Sequence, residues 1–330
     1  MKESHEAPEP TANLRVLESG LCTLVVDFGR SNARSLGVPV GGAADRLSLA
    51  LGNALVGNVP AAAALEISLS GPTLQADAEL ACVVYGAPFE LESDRQKPVV
   101  GKTFTLQPGE QLRIGGTKDG MRAYLCVRGG IDAEWVLGSR SALVPVSAGS
   151  ELRCWPGAIP ARFIRFPASW SQGPKRLRAV CGPQAEWFAL DEFFLREFTV
   201  TPASNRMGLR LQGEPLAIPK QELISEPVCP GAVQVTRDGQ CIILGVDGQT
   251  IGGYPKIAQV IQADSDLLGQ LRPGDALSFV RVTLEEAEAL YRQRRQRLHE
   301  WLTRLRTAEL FGPAGRNAAV STGENLYADS

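Results

Sequence analysis

Residues 247–256 read DGQTIGGYPK, directly after the apolar run CIILGV. An acid (Asp247), an amide (Gln249), two hydroxyls (Thr250 and Tyr254) and a cation (Lys256) surround the Gly252-Gly253 pair within ten positions. Glycine lets bare backbone approach a ligand, and these side chains can donate to and accept from a planar polar molecule such as a carboxylate or an amide. The stretch equally suits a hairpin whose glycines serve the turn and whose polar groups face water. It is not a phosphate loop. The pattern G-x-x-x-x-G-K-[ST] needs Lys directly after Gly, whereas Tyr254 and Pro255 stand before Lys256. The sequence contains no other Walker motif and no G-x-G-x-x-G.

DFGRSNARSLGVPVGGAADR (27–46) repeats the design, with a strand, a Gly- and Arg-rich loop and then a helix. Gly41-Gly42 lead into the first helical turn, where exposed N–H groups can hold an anion. Arg30, Arg34 and Asp45 are candidates here, and Arg140 in GSRS (138–141) and Arg206 in SNRMG (204–208) add guanidinium groups in small-residue loops. Arg grips a carboxylate through two hydrogen bonds, although each of these taken singly also fits a surface ion pair.

The histidines exclude other chemistries. The chain has two, His5 in an acidic Pro-containing leader and His299 in a basic helical segment. Neither is placed to serve a Ser-His-Asp triad, a His-activated Cys or a His-ligated metal. Seven cysteines, with no C-x-x-C pair, suggest neither zinc nor a disulfide framework and fit reduced thiols in a cytoplasmic protein. A formal charge of −2 supplies no excess to hold nucleic acid or an anionic membrane. No apolar run approaches the ~18 residues of a membrane span, and the N-terminus lacks a signal-type apolar region.

The elements that must carry these loops read as mainly β. Short apolar runs punctuated by Gly and Pro predict strands in TLVVDFG, LACVVYG, FTLQ, EQLRIGG and MRAYLCVRGG, and later in LRAVCGP, CIILGVDG, AQVIQA and ALSFVRV. Pro108-Gly109 predicts a hairpin between FTLQ and EQLRI. LQPGEQLRI (106–114) echoes LRPGDALSF (271–279), as duplicated β-domains would, though one hairpin motif can also arise twice. A helix is expected over 43–58. Another opens at the capping box of Thr283 and Glu286, runs roughly seven turns and stops at Gly312-Pro313. Its stripe of Leu284, Ala287, Tyr291, Leu298, Trp301 and Leu305 packs on its own domain or on a partner helix. The proline-bearing segment 156–175 is the expected domain boundary.

Taken together, DFGRSNARSLGVPVGGAADRLSLALGNALVGN, ALEISLSGPTL, GMRAYLCVRGGID, VLGSRSAL, NRMGLRLQG and SEPVCPGAVQVTRDGQCIILGVDGQTIGGYPKIAQVIQAD resemble the biotin-dependent carboxyltransferase family, also called allophanate hydrolase subunit 2. Its members include KipA and the C subunit of 5-oxoprolinase. The resemblance runs from about residue 20 to 285 in the family's order. It implies two cyclophilin-like β-barrel domains with a few helices and a long C-terminal helix. The expected division is a disordered leader over 1–19, barrels over 20–160 and 161–283, the helix over 284–311 and a disordered tail over 312–330.

The resemblance also implies a subunit of an ATP-dependent amide or lactam hydrolase of the 5-oxoprolinase type, inactive alone. Its partners would be a KipI-like (allophanate hydrolase subunit 1-like) protein and a LamB/YcsF-like subunit, and its substrate a small amide or carboxylate. ATP would be used by the complex, not necessarily on this chain. The alternatives are carboxyl transfer to urea from carboxybiotin carried by a separate chain, and KipA-type antagonism of a kinase inhibitor. By position, Lys256, Tyr254 and Asp247 would be catalytic; Arg30, Asp45, Glu66, Arg122, Ser139, Arg140, Arg206, Gln234, Gln249, Thr250, Gly252 and Gly253 would bind substrate; and no metal is expected. The chain departs from the family at Ser31-Asn32, where Pro-Gly is common, at Arg34-Ser35, at Asn205 and at Gly248, which stands where an Arg is usual.

Overall fold

Three strands, Ala64–Ser68, Leu80–Gly86 and Arg122–Val127, are buried along their whole length because both of their faces are covered. Leu65, Ile67, Leu80, Val84, Leu125 and Val127 turn toward a core closed by a second sheet. Alternate residues Val83, Tyr85, Tyr124 and Cys126 turn the other way, onto helix α1 (Arg46–Leu55). The same alternation puts Glu66 on the helix side, directly across from Tyr124. This five-stranded sheet runs in the order Cys22–Val26, Ala64–Ser68, Arg122–Val127, Leu80–Gly86, Phe104–Leu106. Its facing sheet has six strands, Ile131–Asp132, Glu151–Cys154, Ala12–Glu18, Thr73–Ala76, Gln111–Ile114 and Leu91–Ser93. The computed structural model describes residues 9–164, 175–217, 221, 223–311 and 318–319.

Two expectations are corrected in this half. Ala12–Glu18 belongs not to a disordered leader but to the middle of the six-stranded sheet, paired with Glu151–Cys154 and Thr73–Ala76. Ala12, Leu14 and Val16 alternate into the core, a period-two signal outweighed in the sequence by the acidic, Pro-containing residues before it. Residues 1–8, and nearly all of the expected tail from 312, lie outside the described residues. The Pro108-Gly109 turn is also not a hairpin, because Phe104–Leu106 pairs in one sheet and Gln111–Ile114 in the other. The turn is therefore a corner between layers. Glu110, buried, accepts from the Gln107 N–H at 2.8 Å and holds that corner closed.

The echoed motif at 271–279 makes a turn with like hydrogen bonds, here between a helix and a barrel strand. Arg272 N–H donates to Asp275 at 3.0 Å, and Gly274 N–H reaches the end of a neighbouring strand at Val200, just as Gly109 N–H reaches Ala76. This second unit closes as a seven-stranded barrel in the order Lys175–Cys181, Lys256–Val260, Ala232–Val235, Cys241–Leu244, Gly208–Gln212, Glu197–Val200, Ala276–Arg281. Phe193 of α2 (Leu190–Leu195) stacks on Phe279 at 4.8 Å between ring centroids and packs in the barrel's core cluster. The first unit extends slightly past its expected limit, since Ile164 still packs in the core under α1. Residues 165–174, most of the expected boundary, are outside the described residues.

Helix α3 (Ser265–Gln270) caps the barrel side that faces the first unit. Helix α4 (Leu284–Phe311) opens at its capping box: Thr283 N–H donates to Glu286 and Glu286 N–H to the Thr283 hydroxyl, at 2.7 and 3.2 Å. It leaves the barrel and returns to the first unit, where Leu298, Trp301, Leu302 and Leu305 join the core under α1. Of its apolar stripe, Leu298, Trp301 and Leu305 pack on the first unit of the same chain, whereas Leu284 and Tyr291 nearer its start are exposed. Leu305→Ala should cost about 2–4 kcal/mol by opening a cavity at that junction. Denaturant unfolding checks this; an unchanged midpoint would mean that α4 is not docked there.

Candidate functional site

The start of α1 meets α3 at the boundary between the two units, and its free N–H groups are the first feature to account for. Ala44 N–H donates to Glu66 Oε2 at 2.8 Å, Asp45 N–H to the Tyr124 hydroxyl at 2.8 Å, Arg46 N–H to Asp266 Oδ1 at 2.9 Å and Ser48 N–H to Asp45 Oδ1 at 2.9 Å. The protein's own carboxylates thus fill the helix N-terminus that the sequence suggested for an external anion. Asp266 comes from α3, so this cap also joins the two units, and Arg294 of α4 pairs with the same carboxylate.

Glu66 is 1% exposed and the hub of this junction. It accepts from the Tyr124 hydroxyl at 2.7 Å, lies 3.3 Å from Arg122 Nε and pairs with Arg206 from the barrel. Arg206 continues to both oxygens of Asp247, at 2.6 and 3.0 Å, and to the Gly42 carbonyl at 2.6 Å. From α3, Gln270 donates to Asp45 at 2.7 Å and accepts from Arg122 N–H at 3.0 Å, while the Gly269 carbonyl accepts from Arg122 Nη1 at 2.5 Å. A Cβ on Gly269 would stand 2.5 Å from the Ala44 carbonyl oxygen, so only glycine allows this approach.

Arg122 also fastens the units and lines a cavity beside them, whereas Asp45 and Glu66 are corrected from substrate contacts to fasteners: they are buried and their carboxylate oxygens face protein partners. Ser139 is corrected likewise. It is buried and donates at 2.6 Å to Asp27, which also accepts from Ser141 and from the Gly29 and Arg140 N–H groups. Burial alone would raise the Asp27 pKa, but those four donors hold it below the ordinary value. The Arg140 guanidinium is directed elsewhere, to Asp132, the Ala133 carbonyl and the face of Trp135. Asp27 was not singled out from the sequence, where its only signal is its place at the end of a strand before the Gly-Arg loop.

The two Gly-rich loops do come together. Gly41 N–H donates to the Val246 carbonyl at 2.9 Å. A Cβ on Gly41 would stand 3.5 Å from Arg30 Nη1 and 3.7 Å from Asp247 Oδ1, so that glycine lies between the two side chains. Arg30 donates to the Val136 and Ser141 carbonyls, and Arg34 reaches across to the Val228 carbonyl. Beside this junction a mostly apolar cavity of about 510 Å³ opens between residues 40–46, the barrel and the first turns of α4, with Arg46, Arg122 and Arg206 in its wall.

The remaining predicted residues form a second cluster at the barrel's outer face. A bulge in the pairing of Ala232–Val235 with Lys256–Val260 sets Gln234 opposite Lys256, and opposite residues share a face. A two-residue ribbon, Glu226-Pro227 against Ile251-Gly252, lies over that face. Lys256 pairs with Glu226, and Gln184 donates to the same carboxylate at 2.8 Å while accepting from Lys256 N–H at 3.0 Å. The Lys256 ammonium and then the Gln184 amide hold the Glu226 carboxyl below its ordinary value. Thr250 is buried and pairs by its carbonyl with Val228 N–H, Gly253 lies beside Ser225, and Tyr254 faces outward. Glu226 and Gln184 were not singled out from the sequence, although Glu226 lies in the SEPVCPG stretch that carries the family resemblance. Among the described residues no group of three His, Cys, Asp or Glu is arranged to hold a metal ion, and His299 is exposed on α4.

Two β-units fastened through a buried carboxylate, with polar Gly-rich loops at their junction, define a carboxyltransferase-type domain. The chain belongs to the family of the carboxyltransferase domain, subdomains A and B, whose family model matches residues 36–281. It is similar to the C subunit of 5-oxoprolinase from Escherichia coli, 36% identical over 302 residues that cover 88% of this chain and 97% of that protein. The corresponding 5-oxoprolinase protein of Haemophilus influenzae is 36% identical over 284 residues, 82% of this chain and 91% of that protein. The crystal structure of Kluyveromyces lactis urea amidolyase matches with a TM-score of 0.80 at 27% identity, over 91% of this chain and 20% of that one.

The Glu66 hub generates a pH dependence. Burial alone would raise its pKa, but Arg206, Arg122, the Ala44 N–H and the Tyr124 hydroxyl outweigh burial and hold it below the ordinary 4.5. A depressed carboxyl stabilises the fold above its unfolded pKa, and that contribution disappears as pH falls through the folded value. Glu66→Gln should therefore cost about 3–5 kcal/mol at neutral pH. Its gap in Tm from the unsubstituted protein should shrink below pH 4.5. Burial raises the Asp45 pKa, an effect of opposite sign that is present in both proteins. Thermal unfolding across that range reads the gap, and a constant gap would refute the assignment.

Proposed function

We propose that this chain is the C-type member of an ATP-dependent 5-oxoprolinase-like complex and supplies part of the site that opens a small cyclic amide. The observation that carries this reading is the cluster at the barrel's outer face. Lys256, held by Glu226 and Gln184, shares that face with Gln234 beneath the loop that carries Gln249, Thr250 and Gly252. An ammonium fixed in such a place donates to a carbonyl oxygen as negative charge develops there when the amide is attacked. Glu226 orients it, and Tyr254 at the loop's outer edge can close over a ligand. Asp247, bound at both oxygens by Arg206, positions the loop and does not act as a base. The bacterial relatives support the same reading, since they match this chain over nearly their whole length.

The N–H groups at the start of α1 are taken by Glu66, Tyr124 and Asp266, which leaves no phosphate cradle there. That arrangement supports ATP being held by another protein of the complex, of the KipI-like or LamB/YcsF-like type. Carboxyl transfer from a biotinylated carrier on another chain is the second reading, favoured by the likeness to urea amidolyase but at lower identity. Among the described residues no helix is long and apolar enough to cross a membrane.

The test is 5-oxoproline-dependent ATP hydrolysis by the reconstituted complex. Omitting this chain should abolish the coupled activity, and unchanged turnover without it would end the proposal. Lys256→Ala should reduce turnover by at least about a hundredfold, the scale for removing one transition-state donor. Partner binding by size-exclusion chromatography should persist. Lost binding instead would make the loop an interface.

A further inference from the structure

The cluster at the barrel's outer face contains one buried polar atom that the fold does not satisfy. Gln234 is 1% exposed, and its Nε2 has no hydrogen-bond partner among the described residues. Neighbouring positions of its strand point into the barrel as Val233 and Val235, whereas Gln234 lies on the outer face, opposite Ile242 on one side and Lys256 on the other. A structural role would favour an apolar side chain here, because an unpaired buried amide forfeits its hydration with nothing in exchange.

Gly252 shows where that amide is directed. A Cβ at this position would lie 2.9 Å from Gln234 Nε2 and 2.6 Å from Gln249 Nε2, so the two carboxamides converge over the space that its missing side chain leaves. Gly252 does not have the positive φ that would demand glycine, so the residue preserves space rather than a turn. Gln249 is exposed, and its amide lies across the gap as a cover over Gln234. An exposed side chain moves between rotamers in picoseconds to nanoseconds, so this cover opens without any change in the backbone.

We propose that Gln234 is a specificity-determining residue that hydrogen-bonds the amide group of the substrate in the space above Gly252, with Gln249 moving aside to admit it. The inference rests on the reading that the 247–256 loop faces substrate, and it deepens that reading. A carboxamide has both a donor and an acceptor on one planar group, so it matches a substrate amide, cyclic or primary, in a way that hydroxyls do not. Lys256, across the bulge, then lies on the same side of the bound carbonyl. A carboxylate without an amide would satisfy only the donor and bind less well.

The test uses effects of opposite sign. Gln234→Met keeps the volume and removes the unpaired group. The full chain should keep or raise its Tm, while the KM for 5-oxoproline in the reconstituted complex rises about tenfold, the loss of one ordinary hydrogen bond, with kcat within about twofold. Gly252→Ala should give a similar rise in KM with little change in Tm, because the atoms that it meets are the ends of flexible side chains. A lower Tm for Gln234→Met with unchanged KM would show the amide to be structural and overturn the proposal. Side-chain amide NMR of the isotope-labelled chain separates this inference from the functional reading, the Gln234 signal being assigned by its loss in Gln234→Met. If the complex turns over no 5-oxoproline but that signal moves saturably with urea, the amide site stands and the oxoprolinase reading falls. If it moves with neither compound, the inference falls.

Discussion

A single carboxylate, Glu66, sets the relation between the two halves of this protein. It is too deeply buried to be hydrated, so its charge persists only because Arg122 from its own sheet, Arg206 from the barrel, the Ala44 N–H and the Tyr124 hydroxyl surround it. Each partner is fixed in turn by something else. Tyr124 lies opposite Glu66 in the strand register, Arg122 is gripped by α3, and Arg206 runs on to Asp247. The two units are therefore joined at this point by a charge network, alongside the apolar packing of α4 under α1.

That network also decides what the start of α1 can do. A helix N-terminus attracts anions, and here Glu66, Asp45 and Asp266 occupy it from inside the molecule. The anion site becomes a joint, and that joint holds the neighbouring loops in place. Asp247 is anchored by Arg206 and Gly41 by the Val246 carbonyl, so the 247–256 loop leaves the junction in a fixed direction. A few residues along that loop, the bulge between Val233 and Gln234 brings Lys256 and Gln234 to one face. A one-residue change of register would have put them on opposite faces.

Much of the architecture was legible along the chain because it rests on local periods. The continuous apolar run LACVVYG and the capping box of Thr283 and Glu286 read directly as a strand and a helix start. The strand at Ala12–Glu18 carried a two-residue alternation instead but stood behind an acidic segment that masked it. The corner at Pro108-Gly109 could not be told from a hairpin, since a turn sequence sets the direction of the chain and not the sheet that the next strand joins. For the site, residue type marked Asp45, Glu66, Arg122 and Ser139 correctly as unusual, but polar groups gather at joints and at ligand sites for the same electrostatic reason. Sequence spacing cannot separate the two uses.

The sequence by itself determined a part of the strands and the two Gly-rich loops, because these follow from residue type and short-range period. Only the tertiary structure decided which polar groups satisfy one another. Contacts such as Gln270 with Asp45 or Arg206 with Glu66 join residues far apart in the chain, and nothing local encodes them. For the same reason the lack of a partner at the amide of Gln234, a residue the sequence already singled out, shows only in the tertiary structure.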